Sequence, residues 1–432
     1  MAKNVSMFVW NHFTNDARVL RECTSLSQKG YNVRLICIDD PKDKQLARHE
    51  RLNERFEVVR VRRYPLLFDM LIYIYRLVAK HKSLLILGGL LWLYLIYRHT
   101  IPTTIMTILL LVMFLLISNK KIRTVWLRSN IFIRMIAAGY FRKSDIYHSN
   151  DLNTLIQGCI CAKWRIKKKV LIYDSHEVQT SRTGYNSPIY AKLEKSLLKK
   201  VDTMIVENHT RAAYNEELYG FYPKVLHNYP FKQISEVQER INLHEKLQLN
   251  PNEKILLYQG GIQVGRGLEK LIEAVPYFDE GTLVLIGDGR QKSELLKMVK
   301  ERNLGDRVKF IDKVPLADLP KYTKNAYLGF QVLNNICYNH WSASSNKLFE
   351  YMMSNVPIVA CSFPEIQRVV TTEKVGICVD SHDPLDIARG VNEMLRNPQL
   401  RQQMSENCNH AKEVYNWENE QQALLKIYDQ VS

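Results

Sequence analysis

The chain has 432 residues and a mass of 50.6 kDa, which points to two domains of about 200 residues each rather than one. Hydrophobic residues make up 46% and charged residues 24%, so the chain is neither disordered nor fibrous. The net charge of +16 is concentrated: positions 70–144 hold eleven Lys and Arg and no acid, a block too local for a duplex footprint, and no nucleic-acid partner is expected.

Val5–Val9 reads as a first strand. Asn15–Lys29 follows as a helix, with Val19, Leu20 and Leu26 at helical spacing and Gly30 closing it; Val33–Ile38 and Phe56–Val61 are the next strands. The first ten residues lack the long apolar stretch of a signal peptide. Eight scattered cysteines contain no C-x-x-C pair and are expected as reduced thiols.

Leu84–Tyr97 and Ile101–Ile117 are two uncharged apolar runs separated by Arg98, His99 and Thr100. As helices they would be roughly 21 and 25 Å long, short of a hydrocarbon core of about 30 Å. Lys80 and Lys82 precede the runs, and Lys120, Lys121 and Arg123 follow them. Basic flanks on both sides place both ends on the cytoplasmic side and predict a helical hairpin over 84–117 that enters the membrane and returns. Arg128, Arg134, Arg142 and Lys143 extend the basic belt toward anionic lipid headgroups.

Beyond the runs, Ile146–Tyr147, Val170–Tyr173, Met204–Val206 and Lys224–His227 read as strands, separated by helices at Leu155–Trp164 and Ala191–Lys200. The pattern restarts at Lys254 with strands at 255–258, 282–286, 308–310, 328–332, 358–360 and 377–379. Helices at Leu268–Val275, Gln291–Arg302 and Lys347–Met353 lie between them, and Ala411–Val431 closes the chain as a helix. This alternation predicts an α/β protein with two Rossmann-like, doubly wound domains facing a cleft.

Two segments carry chemistry. Tyr258–Leu268 is a strand end, a loop with Gly260, Gly261, Gly265 and Gly267, and a helix start; Arg266 adds a fork that suits phosphate. In Ser342–Ala360 a polar loop opens a helix. The backbone N–H groups at Ser345 and Asn346 suit a diphosphate, Lys347 adds charge, and Glu350 is placed to accept two ribose hydroxyls.

This second segment resembles the nucleotide-sugar site of family 4 glycosyltransferases, retaining enzymes of GT-B fold. The resemblance extends to Leu285–Gly289, with its Gly287-Asp288-Gly289 turn, and to Phe310–Val314, where Val314 would line the nucleobase. It also covers Lys224–Pro230 and the closing helix around Trp417 and Tyr428. It implies a first, acceptor-side domain over 1–235 carrying the hairpin, a nucleotide-sugar domain over 236–410, and a helix over 411–432 that crosses back. Asn15, Asp16 and Arg18 occupy the loop where the family often has paired glycines near phosphate and acceptor. His148, Asn150, Asp151 and His176 fall at strand ends that face the reacting sugar, with Asn150 in place of the family's second histidine. Ser342 stands where the family has the first of two glutamates, and Gly261 and Arg266 stand where Arg and Lys are more common.

The implied reaction moves a sugar with retention from a UDP- or GDP-sugar to a lipid-linked or membrane-proximal glycan at the cytoplasmic face of the cell membrane. It uses no metal and no cofactor beyond the nucleotide-sugar co-substrate. No Asp-x-Asp motif for a metal-bound diphosphate is present. The alternatives are a non-catalytic scaffold subunit of a polysaccharide-assembly complex and a nucleotide-sugar epimerase.

Overall fold

The computed structural model describes residues 2–14, 16–43, 45–80, 119–181, 187–232 and 241–431, together with scattered positions between 88 and 112. The chain divides into two compact units, Met1–Asp16 with Leu26–Tyr173, and Ala17–Ser25 with Asp174–Ser432. The second unit therefore includes residues 174–235 of the first domain expected from the sequence.

The first unit holds β1 (Asn4–Phe8), β2 (Asn32–Ile38), β3 (His49–Asn53), β4 (Phe56–Val61), β5 (Ile146–Asn150) and the start of β6 (Val170–Ser175), in the order β3-β4-β2-β1-β5-β6. The pairings β1–β2, β1–β5 and β2–β4 are parallel. β3 is an antiparallel edge strand that the sequence did not announce, because nearly all of its side chains are exposed and polar. The order reverses at β1 and β5, which makes their C-terminal ends the switch point of this sheet.

The helix Lys120–Tyr140 is capped by Asn119, whose side chain accepts from Lys121 N and Ile122 N, and it buries Ile131, Met135 and Gly139. A Cβ at 139 would lie 2.6 Å from the Phe8 ring, so glycine lets this helix lie close to β1. The expected hairpin lies almost wholly outside the described residues. No helix among the described residues is long and apolar enough to cross a membrane. Of the described positions in that stretch, Leu90, Leu91, Leu93, Tyr94 and Tyr97 are exposed.

The second unit pairs β7 (Thr203–Val206) with β8 (Lys224–Val225) in parallel. It also contains a six-stranded sheet of β9 (Ile255–Gln259), β10 (Thr282–Ile286), β11 (Val308–Ile311), β12 (Leu328–Gln331), β13 (Ile358–Cys361) and β14 (Gly376–Val379). Their order is β11-β10-β9-β12-β13-β14, the Rossmann arrangement, with the switch point between β9 and β12. β9, β10, β12 and β13 are buried along their whole length, as expected of strands covered on both faces.

The last stretch differs from the expected helix Ala411–Val431. One helix, Pro398–Ala411, ends there and another runs over Trp417–Val431. Asn416 makes the break: its side-chain amide donates to the carbonyls of Lys412 and Glu413, and its Oδ1 accepts from Asn419 N. Cys23, Cys37, Cys159, Cys161, Cys361 and Cys408 are buried, and no disulfide is found among the described residues.

Candidate functional site

The switch point of the second sheet falls where β9 runs out of apolar residues. Ile255, Leu256, Leu257 and Tyr258 are buried, and the next residue, Gln259, is buried too. Both ends of its amide are satisfied: Oε1 accepts from Thr323 Oγ1 at 2.7 Å, and Nε2 donates to Glu350 Oε2 at 2.9 Å. Its backbone N–H donates to the Tyr351 hydroxyl at 3.1 Å, and that hydroxyl donates to Leu257 O at 3.0 Å. A fixed amide thus sets the direction of the Glu350 carboxylate, one helical turn into Asn346–Met353.

The glycine loop after β9 is stitched to the turn after β10. Gly260 N donates to Ile286 O, Ile262 N to Asp288 O and Gly287 N to Ile311 O, all near 3 Å. Gly260 has φ +126° and Gly287 φ +156°. A Cβ at 287 would sit 1.9 Å from Gly260 O, so the close approach of the two turns requires glycine. Gly261 is open to solvent.

Lys347 lies over this loop. Its Cε is 2.9 Å from where a Gly260 Cβ would be, and its Nζ sits 5.5 Å from the centre of the Tyr258 ring. The side chain is half-buried, and no ion pair to it is found among the described residues. Burial, then the like charge of Arg266, pulls its pKa down from 10.5 to about 7, against the opposing pull of Glu350. Arg266 likewise has no ion pair among the described residues. Its charge, after burial, also lowers the His340 pKa.

Ser345 is the N-cap residue of the helix carrying Lys347 and Glu350. The exposed Asn346 accepts at Oδ1 from Asn228 Nδ2 at 3.0 Å, and Asn228 in turn accepts from Arg21. Val314 follows β11 and packs, half-buried, at the edge of the core. Gly260, Arg266, Gly287, Lys347 and Glu350 therefore gather around one strand end, with the start of a helix alongside.

Ser342 is fully buried. Its Oγ accepts from Arg211 Nε at 3.2 Å and its carbonyl from Asn208 Nδ2 at 2.8 Å. Arg211 also reaches His176 O at 2.5 Å, Glu207 at 2.5 Å and Asn339 O at 3.2 Å. The buried Arg211 is thus satisfied by one carboxylate and by neutral groups, the Ser342 hydroxyl among them.

Arg18 is a buried ion-pair residue. It grips Asp174 at 2.8 and 3.0 Å, donates to Leu226 O at 3.0 Å and lies 3.0 Å from Glu22. Burial, and then the neighbouring Asp174 charge, raises the Glu22 pKa from 4.5 to about 8 despite Arg18. His176 Nε2 is 3.4 Å from Asp174 Oδ2.

In the first unit, Asn150 bridges the switch point by donating to Phe8 O at 2.9 Å. His148 is fully buried. Asp151 has φ +61°, an uncommon conformation for a residue other than glycine and one that recurs at functional sites. Asp16 accepts from Asn11 Nδ2 at 2.7 Å, and Asn15 lies outside the described residues.

Sequence reasoning missed Gln259, Thr323 and Arg211. The one available signal was a glutamine ending an otherwise apolar strand.

Two parallel-sheet units with Rossmann order define a two-domain α/β protein of GT-B-like fold. Residues 239–410 match the family model for glycosyl transferases group 1. An uncharacterized glycosyltransferase of Methanocaldococcus jannaschii is 26% identical over 298 residues, 65% of this chain and 72% of that protein. Other curated relatives are matched over about half of their length. Sucrose-phosphate synthase from Thermosynechococcus elongatus superposes with a TM-score of 0.74 at 16% identity, covering 99% of this chain and 98% of that one. HepE of Anabaena, solved in complex with UDP-glucose, gives a TM-score of 0.68 at 14% identity over 99% of both chains.

Proposed function

We propose that the chain is a retaining glycosyltransferase that draws on a nucleoside diphosphate sugar, UDP- or GDP-linked, held in the second unit. One observation carries this reading: the Glu350 carboxylate is aimed by the buried Gln259 amide, next to a half-buried Lys347 without an ion pair among the described residues. Glu350 accepts two ribose hydroxyls. Arg266, Lys347 and the amides at Ser345 and Asn346 face the diphosphate and stabilise the charge it gains as the glycosidic bond breaks. The leaving phosphate oxygen takes the proton of the acceptor hydroxyl, which attacks from the same face, and no metal is needed. The UDP-glucose complex of the Anabaena neighbour supports a nucleotide sugar as co-substrate.

The acceptor in this reading is a lipid-linked or membrane-proximal glycan. The apolar runs of 84–117 and their basic flanks support it, with the chain held as a hairpin on anionic lipid at the cytoplasmic face of the cell membrane. A second reading, a non-catalytic scaffold subunit, is favoured by Ser342, a neutral buried residue where the family has a glutamate.

The test is thermal unfolding with UDP, GDP and ADP, on the wild type and on Glu350→Ala. A ligand at about 100 times its dissociation constant adds about 2.7 kcal/mol, a shift of several degrees. A shift with one nucleotide that the variant loses supports the donor site. No shift with any nucleotide refutes it. Nucleotide binding without transfer to any acceptor leaves the scaffold.

A further inference from the structure

The N-terminal ends of β1, β2 and β4 open onto a cavity of about 440 Å³, with Asn4, Asn32 and Phe56, the first residues of those strands, in its lining. Asp16 and Asp151 follow the opposite, C-terminal ends of β1 and β5. Five-residue strands put about 16 Å between the two ends, so this cavity is separate from the switch point of the sheet.

Its wall is cationic. Arg34 is held by Glu57, with Nε to Oε1 at 2.6 Å, and Arg55 donates to Gly30 O at 3.1 Å. Arg51, Arg142 and Lys143 also line the cavity; all three are exposed, and none has an ion pair among the described residues. Glu54 is the one other acid in the lining. Arg51 comes from the edge strand β3, whereas Arg142 and Lys143 come from the turn after the helix Lys120–Tyr140. Two separate elements thus aim unneutralised charge at one space. The fork geometry of two arginines suits the several oxygens of a phosphate better than a single carboxylate.

The rim is aromatic. Phe141 lines the cavity and is 84% exposed. Phe141 packs edge-on against Tyr140 at 5.8 Å, and Arg165 stacks 4.4 Å over the Tyr140 ring and donates to the Tyr140 carbonyl at 2.8 Å. Exposed aromatic rings beside cations suit a ligand with an apolar body and an anionic head.

We infer that this cavity binds a phosphate-bearing anion, a lipid phosphodiester headgroup or a soluble phosphate ester, through Arg51, Arg142 and Lys143. For a lipid, Phe141 meets the apolar part. The inference stands apart from the nucleotide reading, which concerns the other unit.

The test is calorimetric titration of the full chain with dihexanoyl phosphatidylglycerol below its micelle concentration, dihexanoyl phosphatidylcholine, and glycerol 3-phosphate. The variants are Arg51→Ala/Arg142→Ala/Lys143→Ala, Phe141→Ala and, as a control at the nucleotide site, Arg266→Ala. The three cavity side chains are exposed, and a thermal melt verifies that the triple variant folds. The expected result is binding of the anionic ligands, weakened at least tenfold in the triple variant and unchanged in Arg266→Ala. Tighter binding of phosphatidylglycerol than of glycerol 3-phosphate, reduced by Phe141→Ala, assigns a lipid headgroup. Equal binding, indifferent to Phe141→Ala, assigns a soluble ester. The inference is overturned if neither anion binds, if the triple variant binds as the wild type does, or if phosphatidylcholine binds as tightly as phosphatidylglycerol.

Discussion

Raising the pH from 7 to 8.5 is expected to weaken nucleotide-sugar binding, because Lys347 loses its charge in the empty site. Burial and Arg266 lower its pKa to about 7, so it is half charged at neutral pH and neutral above. A bound diphosphate brings two negative charges and restores the pKa toward the ordinary value of about 10.4. Binding then takes up a proton between these two values, and affinity falls by up to about tenfold per pH unit. From pH 7 to 8.5 the fall is about fifteenfold, or ~1.6 kcal/mol. Calorimetry with UDP-glucose in two buffers of different ionisation enthalpy counts the proton directly: about half a proton at pH 7 and nearly one at pH 8.5. A nucleotide sugar serves better than free UDP, whose terminal phosphate titrates in the same range. Lys347→Arg, charged throughout, is expected to bind independently of pH. Flat wild-type affinity without proton uptake would refute the argument, as would an unchanged pH profile in Lys347→Arg. The same shift acts on folding. The unfolded chain holds the extra proton above about pH 7, so the Lys347 contribution to stability of the empty protein rises with pH up to about 10.4.

Glu22→Gln is expected to change stability at pH 7 by less than about 1 kcal/mol, because burial beside Asp174 raises the Glu22 pKa to about 8 and keeps the carboxyl protonated. The folded pKa exceeds the unfolded one, so this stabilisation is complete below about pH 4.5 and is lost as the pH rises through 8, and the variant removes that slope. Urea melts at pH 5 and 8 check both points; a cost above about 3 kcal/mol at pH 7, as for a broken buried ion pair, counts against it. Gly287→Ala is expected to cost about 3 kcal/mol or more, since its Cβ meets Gly260 O at 1.9 Å; an unchanged urea midpoint would contradict that.

What the sequence made legible was local. The apolar run before Gln259 announced β9, and the Gly287-Asp288-Gly289 turn was matched through the family resemblance. The clustering of Lys347 and Glu350 followed from helical spacing. The unread parts depend on partners far along the chain. Gln259 acts through Glu350, 91 residues away, and Arg18 reads as a loop cation until Asp174, 156 residues on, comes to meet it. β3 has no apolar face to advertise it, and the start of the last helix is set by the hydrogen bonds of Asn416 rather than by hydrophobic spacing.

The indole of Trp417 is fully buried, with Nε1 donating to Ser25 Oγ at 2.9 Å across 392 positions, and Arg21 lies 5.6 Å over its ring. During synthesis at about 5–20 residues per second, the first helix waits roughly 20–80 s for this cover. The growing polypeptide carries Arg21 and Ser25, in the helix Ala17–Gln28, without this cover until Trp417 has been made. A nonsense codon ahead of Trp417 therefore strikes residues made 392 positions earlier, and chaperone dependence is expected to concentrate in that interval.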